Sequence, residues 1–220
     1  MSKSSVMKVT CPECGHEQDF TIWPHININQ TPEMKEQVLD CQLFVYECDA
    51  CGKKFPVTYP CMYLDDEKKL KVYLSPTMEA LNDFNEAIEE TDEAYKTLKD
   101  MGYVLRGVTS VNELAEKIMI CDAGLDDRVV EIIKMLILYK SRAEGMDIDS
   151  VAAMYYYPGK DQYKHEIVIM YKDGTEALVP IDESIIKETW SNMEKRILAH
   201  GKKGYENINV EWVTEILQEM

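Results

Sequence analysis

Four thiols carry the chain's clearest chemistry. Cys11 and Cys14 lie in "KVTCPECGHEQDF" and Cys48 and Cys51 in "ECDACGKKF", and each pair is spaced C-x-x-C and closed by a glycine, Gly15 or Gly52. A C-x-x-C-G turn points two sulfurs to one side, and the glycine can leave it through the left-handed region. Two such turns face to face supply a tetrahedral S4 donor set with metal–sulfur distances of about 2.3 Å. Four protein ligands leave no open coordination position, so the expected site is structural rather than catalytic. The spacing therefore predicts one metal ion per chain, held by Cys11, Cys14, Cys48 and Cys51.

Zinc is the expected ion, but the same donor set also suits iron, and C-P-x-C-G turns resemble those of rubredoxin, an iron electron carrier. Geometry of the ligands alone leaves both open. A thioredoxin-type redox pair would open a helix in a βαβ unit, and neither pair is set that way. Cys41, Cys61 and Cys121 lack paired spacing and sit among apolar neighbours in "DCQLF", "PCMYL" and "IMICD", where cysteine reads as a small buried hydrophobe. His16 adjoins the first pair, but the shell is already full. His25, His165 and His200 have no nearby nucleophile to serve as bases.

A second concentration of reactive groups lies in "NELAEKIMICDAGLDDRVVEIIK": Glu116, Lys117, Asp126, Asp127, Arg128 and Glu131. Asp127 and Glu131 stand one helical turn apart and could bind a cation or act as acid and base. On that reading the chain is a hydrolase-type enzyme using carboxylates of the 113–131 region. The simpler reading is an acidic helix start favoured by the helix dipole, with Lys117 and Arg128 pairing across a helical hairpin. It accounts for every residue without a substrate, so no catalytic residue is assigned.

Other signatures are absent: the sequence has no glycine-rich phosphate loop, no G-x-S-x-G elbow and no H-E-x-x-H helix. Net charge is −16, with 24 Lys and Arg against 40 Asp and Glu. Residues 77–220 carry most of that excess, which disfavours a phosphate backbone as partner. No secretory h-region precedes the first cysteine pair. The most apolar stretch, "VVEIIKMLILYK", is broken by Glu131 and Lys134 and is too short to span a bilayer. A reducing cytoplasm is the expected compartment, where C-x-x-C pairs serve metals more often than disulfides.

The elements that must place these groups fall into two halves. Residues 1–76 read as strands and turns around cysteines, with one short helix that starts at Thr31 and Pro32. From "SPTMEALNDF" onward the period turns helical. The expected elements of 77–220 are helices over about 77–101, 111–121, 126–142 and 182–200, and an antiparallel meander over about 151–181. Ser110 with Glu113, Asp126 and Asp182 are the expected caps, and the meander's turns fall at "PGKDQ" and Asp173–Gly174. "VVEIIKMLILYK" is apolar nearly all round and should be buried on several sides. The fold class is α+β: a metal-binding module over 1–76, then an acidic domain.

The ordered segments "CPECG", "IWPHININ" and "LFVYECDACGKKFPVTYPCMYLDD" resemble the CpXC domain over roughly residues 8–75. This is a bacterial and archaeal family without established function, defined by two cysteine pairs. The resemblance implies a zinc-ribbon-like module with Cys11, Cys14, Cys48 and Cys51 as its metal set, and implies no activity. Cys41 departs from it, since a small residue such as glycine is expected there. The expected function is that of a cytoplasmic zinc-binding protein that meets a protein partner as an adaptor.

Overall fold

A computed structural model describes residues 2–88, 93–159, 163–201 and 203–218. They form seven α-helices and three sheets, an α+β fold. Two compact units result: Met1–Ala115 with Gly204–Glu206, and Glu116–Lys203 with Asn207–Met220.

The first unit grows from a long hairpin, β1 (Lys3–Thr10) and β2 (Glu17–Asn27). Pro24 lies inside β2, and the β1–β2 register shifts between Ser5↔Ile22 and Lys3↔His25; proline cannot donate to a ladder, so the strand bulges there. Helix α1 (Met34–Leu39) follows, and a small hairpin of β3 (Val45–Glu47) and β4 (Lys54–Pro56) carries the second cysteine turn. Strand β5 (Cys61–Asp65) pairs parallel with β2 and antiparallel with β6 (Leu70–Leu74). Both β5 and β6 alternate buried and half-buried residues, the period-two pattern of a sheet covered on one side more fully than the other. After helices α2 (Met78–Glu86) and α3 (Glu93–Asp100), strand β7 (Val104–Val108) adds parallel to β6. The sheet order is β1-β2-β5-β6-β7.

Three expectations change here. The first helix starts at Met34 rather than at Pro32, because the Thr31 hydroxyl donates to Asn27 O (2.9 Å) instead of capping. The helix expected over about 77–101 is found as α2 and α3, with residues 89–92 outside the described residues; Thr77 rather than Ser75 caps α2, accepting from Ala80 N. The boundary expected at 76/77 does not coincide with the division at 115/116. β7 belongs to the sheet of the cysteine-bearing half, and Gly204–Glu206 returns to it: Gly107 N donates to Glu206 O, and the Asn85 side chain both accepts from Tyr205 N and donates to Tyr205 O. A shift from strand-like to helical composition therefore marks a connection within the unit, not its end.

The division falls within α4 (Val111–Asp122), whose Glu113 N donates to Ser110 Oγ as expected. The second unit then contains α5 (Asp127–Ala143), the meander β8 (Val151–Pro158), β9 (His165–Tyr171) and β10 (Glu176–Pro180), and helices α6 (Glu183–Ala199) and α7 (Val210–Gln218). Asp126 caps α5 through Arg128 N, as its position predicts. Of the two meander turns, Asp173–Gly174 is present, while 160–162 of "PGKDQ" lie outside the described residues. The core gathers Ile132, Ile133, Tyr156, Ile167, Ile197 and Val213. α5 is buried through Met135 and then surfaces, leaving Leu136 and Tyr139 exposed.

Candidate metal centre

The two cysteine turns are built alike. In the first, Gly15 N donates to Cys11 O (2.9 Å) and Cys11 N to His16 O (2.8 Å). In the second, Gly52 N donates to Cys48 O (2.8 Å) and Cys48 N to Lys53 O (2.9 Å). Gly15 and Gly52 leave with φ of 71° and 69°, a conformation that costs an L side chain about 1–2 kcal/mol. The match means that local sequence alone, C-x-x-C-G, dictates the same knuckle twice.

All four sulfurs lie within 4.8 Å of one another, and among the described residues no other group of His, Cys, Asp and Glu gathers its ligand atoms so closely. Cys11 Sγ is 3.7 Å from Cys51 Sγ, and Cys14 Sγ is 3.6 Å from Cys48 Sγ. Tetrahedral sulfurs about 2.3 Å from a common centre would be roughly 3.8 Å apart, so the donor set fits a zinc- or iron-sized ion. Each turn gives one buried cysteine, Cys11 or Cys48, and one exposed cysteine, Cys14 or Cys51. Burial raises the Cys48 thiol, but the N–H groups of Cys51 and Ala50 and the thiols of Cys14 and Cys51 outweigh it and lower it to about 6. A backbone bond at Lys53 lowers Cys51, while burial and the other three thiols push it up to about 12.

Two residues that the spacing did not single out complete the setting. The Gln18 amide, on β2, donates to Glu47 O (2.9 Å) and accepts from Asp49 N (2.8 Å), so it pins the backbone on both sides of Cys48 to the strand leaving the first turn. Tyr46, on β3, is buried with Cys11 and Cys48. Its ring meets Phe20 edge-on at 6.0 Å and Phe55 at 6.4 Å. Its hydroxyl is buried and hydrogen-bonds to no other group among the described residues. Only the β-strand alternation of "FVYEC", with Tyr46 two positions before Cys48, could have pointed to it.

The remaining cysteines stand apart from this cluster. Cys61 is buried in β5, and burial pushes its thiol up to about 12, as befits a small hydrophobe. Cys41 and Cys121 are half-buried. His165 is not isolated, since its Nδ1 lies 2.9 Å from Tyr156 Oη in the core.

The charged residues of α4 and α5 are brought together, but as buried ion pairs. Lys134 Nζ lies 2.6 Å from Glu116 Oε1 and 3.0 Å from Glu131 Oε2. Lys117 Nζ lies 3.0 Å from Asp127 Oδ2 and donates to Ile208 O. Glu116 also accepts from Tyr156 N. Asp126 instead caps α5 and takes Arg128 in two half-buried bonds, of 2.9 and 2.6 Å. Asp127 and Glu131 thus face lysines rather than a cleft. Lys134 is the member that sequence spacing left out, because its pairing with Glu116 joins two helices.

Among the described residues, no helix is long and apolar enough to cross a membrane. No curated protein and no solved structure matches the chain. A family model described as CpXC protein matches residues 9–134, reaching well past the cysteine-bearing segment to the lysine that closes the α4–α5 ion pairs. With four cysteines in the two-pair arrangement and more than half its length matched, the chain belongs to the CpXC family.

Proposed function

We propose that Cys11, Cys14, Cys48 and Cys51 hold one zinc ion in a closed structural site, and that the protein acts in the cytoplasm as an adaptor for a protein partner, with no catalytic centre of its own. The observation that carries this reading is the pair of matched knuckles, each giving two sulfurs at separations that suit one tetrahedral shell. Bound zinc would supply a cross-link between two turns that are distant in the chain, without redox chemistry and without a position for substrate. The carboxylates that could have formed a hydrolytic site are buried against lysines, and the −16 charge disfavours nucleic acid.

Elemental analysis of the purified protein, with a visible spectrum of the same sample, tests the site. One zinc per chain and no colour is the expected result; stoichiometric iron with charge-transfer bands would replace the adaptor with an electron carrier. Cys11→Ser and Cys48→Ser should each lose the metal, and full occupancy in either would overturn the ligand set. Hydrolytic turnover that falls in Glu131→Gln would overturn the non-catalytic half of the reading.

A further inference from the structure

The Tyr46 hydroxyl is a buried donor without an acceptor, placed beside the buried pair of cysteines. Tyr46 lies in β3 and Cys48 follows directly on the strand, two residues further, and both side chains are buried in the same cluster. Phe20 and Phe55 fix the ring, which leaves the hydroxyl no route to water. A neutral thiol is a weak acceptor. A metal-bound thiolate carries negative charge and accepts a much stronger, charge-assisted bond. The orphan hydroxyl is therefore matched to the metal-loaded centre. The corresponding position before Cys11 is Val9, which packs in the same cluster but has no donor. The two otherwise matching knuckles differ at this point.

We propose that Tyr46 donates Oη–H to Sγ of Cys48 in the metal-bound protein, making it the positioning residue that tunes the electron density and metal affinity of the centre. This rests on the four-cysteine reading above. Outer partners of ligating groups typically change metal affinity by about 10–100-fold when removed, and hydrogen bonds to ligating sulfurs govern how strongly they donate charge.

Cobalt(II), which reports on thiolate ligation by its sulfur-to-metal charge-transfer bands, is the probe, added to the full chain. Tyr46→Phe keeps the ring and its packing. The expected result is one cobalt in both proteins, with the variant's charge-transfer band displaced to lower energy and its affinity, by chelator competition, reduced about 10–100-fold. Tyr59→Phe is the control: Tyr59 stacks on Phe44 and donates to Leu43 O, so losing its hydroxyl should leave the spectrum in place. In the unsubstituted protein loaded with cadmium-113, a slowly exchanging Tyr46 hydroxyl proton with coupling to cadmium is expected, which keeps the test open if the variant folds poorly. A Tyr46→Phe spectrum and affinity identical to wild type, or no such coupling, would overturn the role of Tyr46 alone. Failure of the wild-type chain to bind cobalt would instead overturn the metal site and this role together.

Discussion

Cys41 holds a left-handed backbone, φ 57°, at the entry to the turn Gln42–Phe44 that leads into β3. Strain of this kind costs a non-glycine residue about 1–3 kcal/mol and persists only where the surroundings impose it. Its thiol makes long contacts, 4.0 Å to Leu39 O and 3.8 Å to Asn112 Oδ1, which do little to offset that cost. Cys41→Gly should therefore raise the melting temperature, with a gain of about 1 kcal/mol, and leave metal content unchanged. A fall in melting temperature would show that the thiol contacts outweigh the backbone. The same residue illustrates what a sequence reveals at this scale. A departure from the expected glycine was legible at Cys41, and so were the four clustered cysteines, because a turn and its ligands are local. Gln18 and Tyr46 were not, since each acts on Cys48 through the fold: one from another strand, the other through a burial that only tertiary packing defines.

At the scale of elements, α4 and α5 enclose three carboxylates, Glu116, Asp127 and Glu131, and two ammonium groups, Lys117 and Lys134, all buried. If all are ionised the group carries one excess negative charge in a low-dielectric interior. Burial, opposed by Lys134 and Lys117 and aided by Glu116, leaves Glu131 above the usual 4.5 of a glutamate. A carboxyl whose folded value is raised contributes stability that is present below about pH 4.5 and is lost as pH rises through the folded value. Glu131→Gln stays neutral and still offers an oxygen to Lys134. It should melt higher than wild type at neutral pH, and the gap should close on acidification; a variant less stable at neutral pH would mean that the ionised carboxylate is the stabilising form. Lys134→Met is the opposite case. It strands Glu116 and Glu131 without their shared cation and should cost about 3–5 kcal/mol. The cluster was readable from i, i+4 spacing on α5, and so were the caps at Asp126 and Ser110. Its buried, paired character was not, because amphipathic periodicity describes one helix and this network is closed by a second helix and by Tyr156 N.

At the scale of the molecule, the chain divides its stabilising interactions between two units that differ in kind. Around the cysteines of the first unit, the buried cluster is small: Cys11, Tyr46 and Cys48, with Val9, Phe20, Phe55 and Val57 against them. The second unit closes an extended apolar core of α5, β8, β9, α6 and α7 around Tyr156, Ile167 and Ile197. The strand-to-helix change at residue 77 suggested a boundary there. Pairing of β7 with β6 and the return of Gly204–Glu206 were invisible in a linear reading, because both are contacts between segments far apart in the chain. If the four thiols hold a metal, its binding free energy is folding free energy for the cysteine-bearing unit. Calorimetry of the intact protein should then show two transitions. A strong chelator should move one of them to lower temperature, or abolish it, and leave the transition of the Glu116–Lys203 unit in place. One transition that shifts as a whole would mean the units unfold as a single cooperative body. Two transitions that both ignore the chelator would mean that the matched knuckles hold their shape through Gln18 and their own backbone bonds alone.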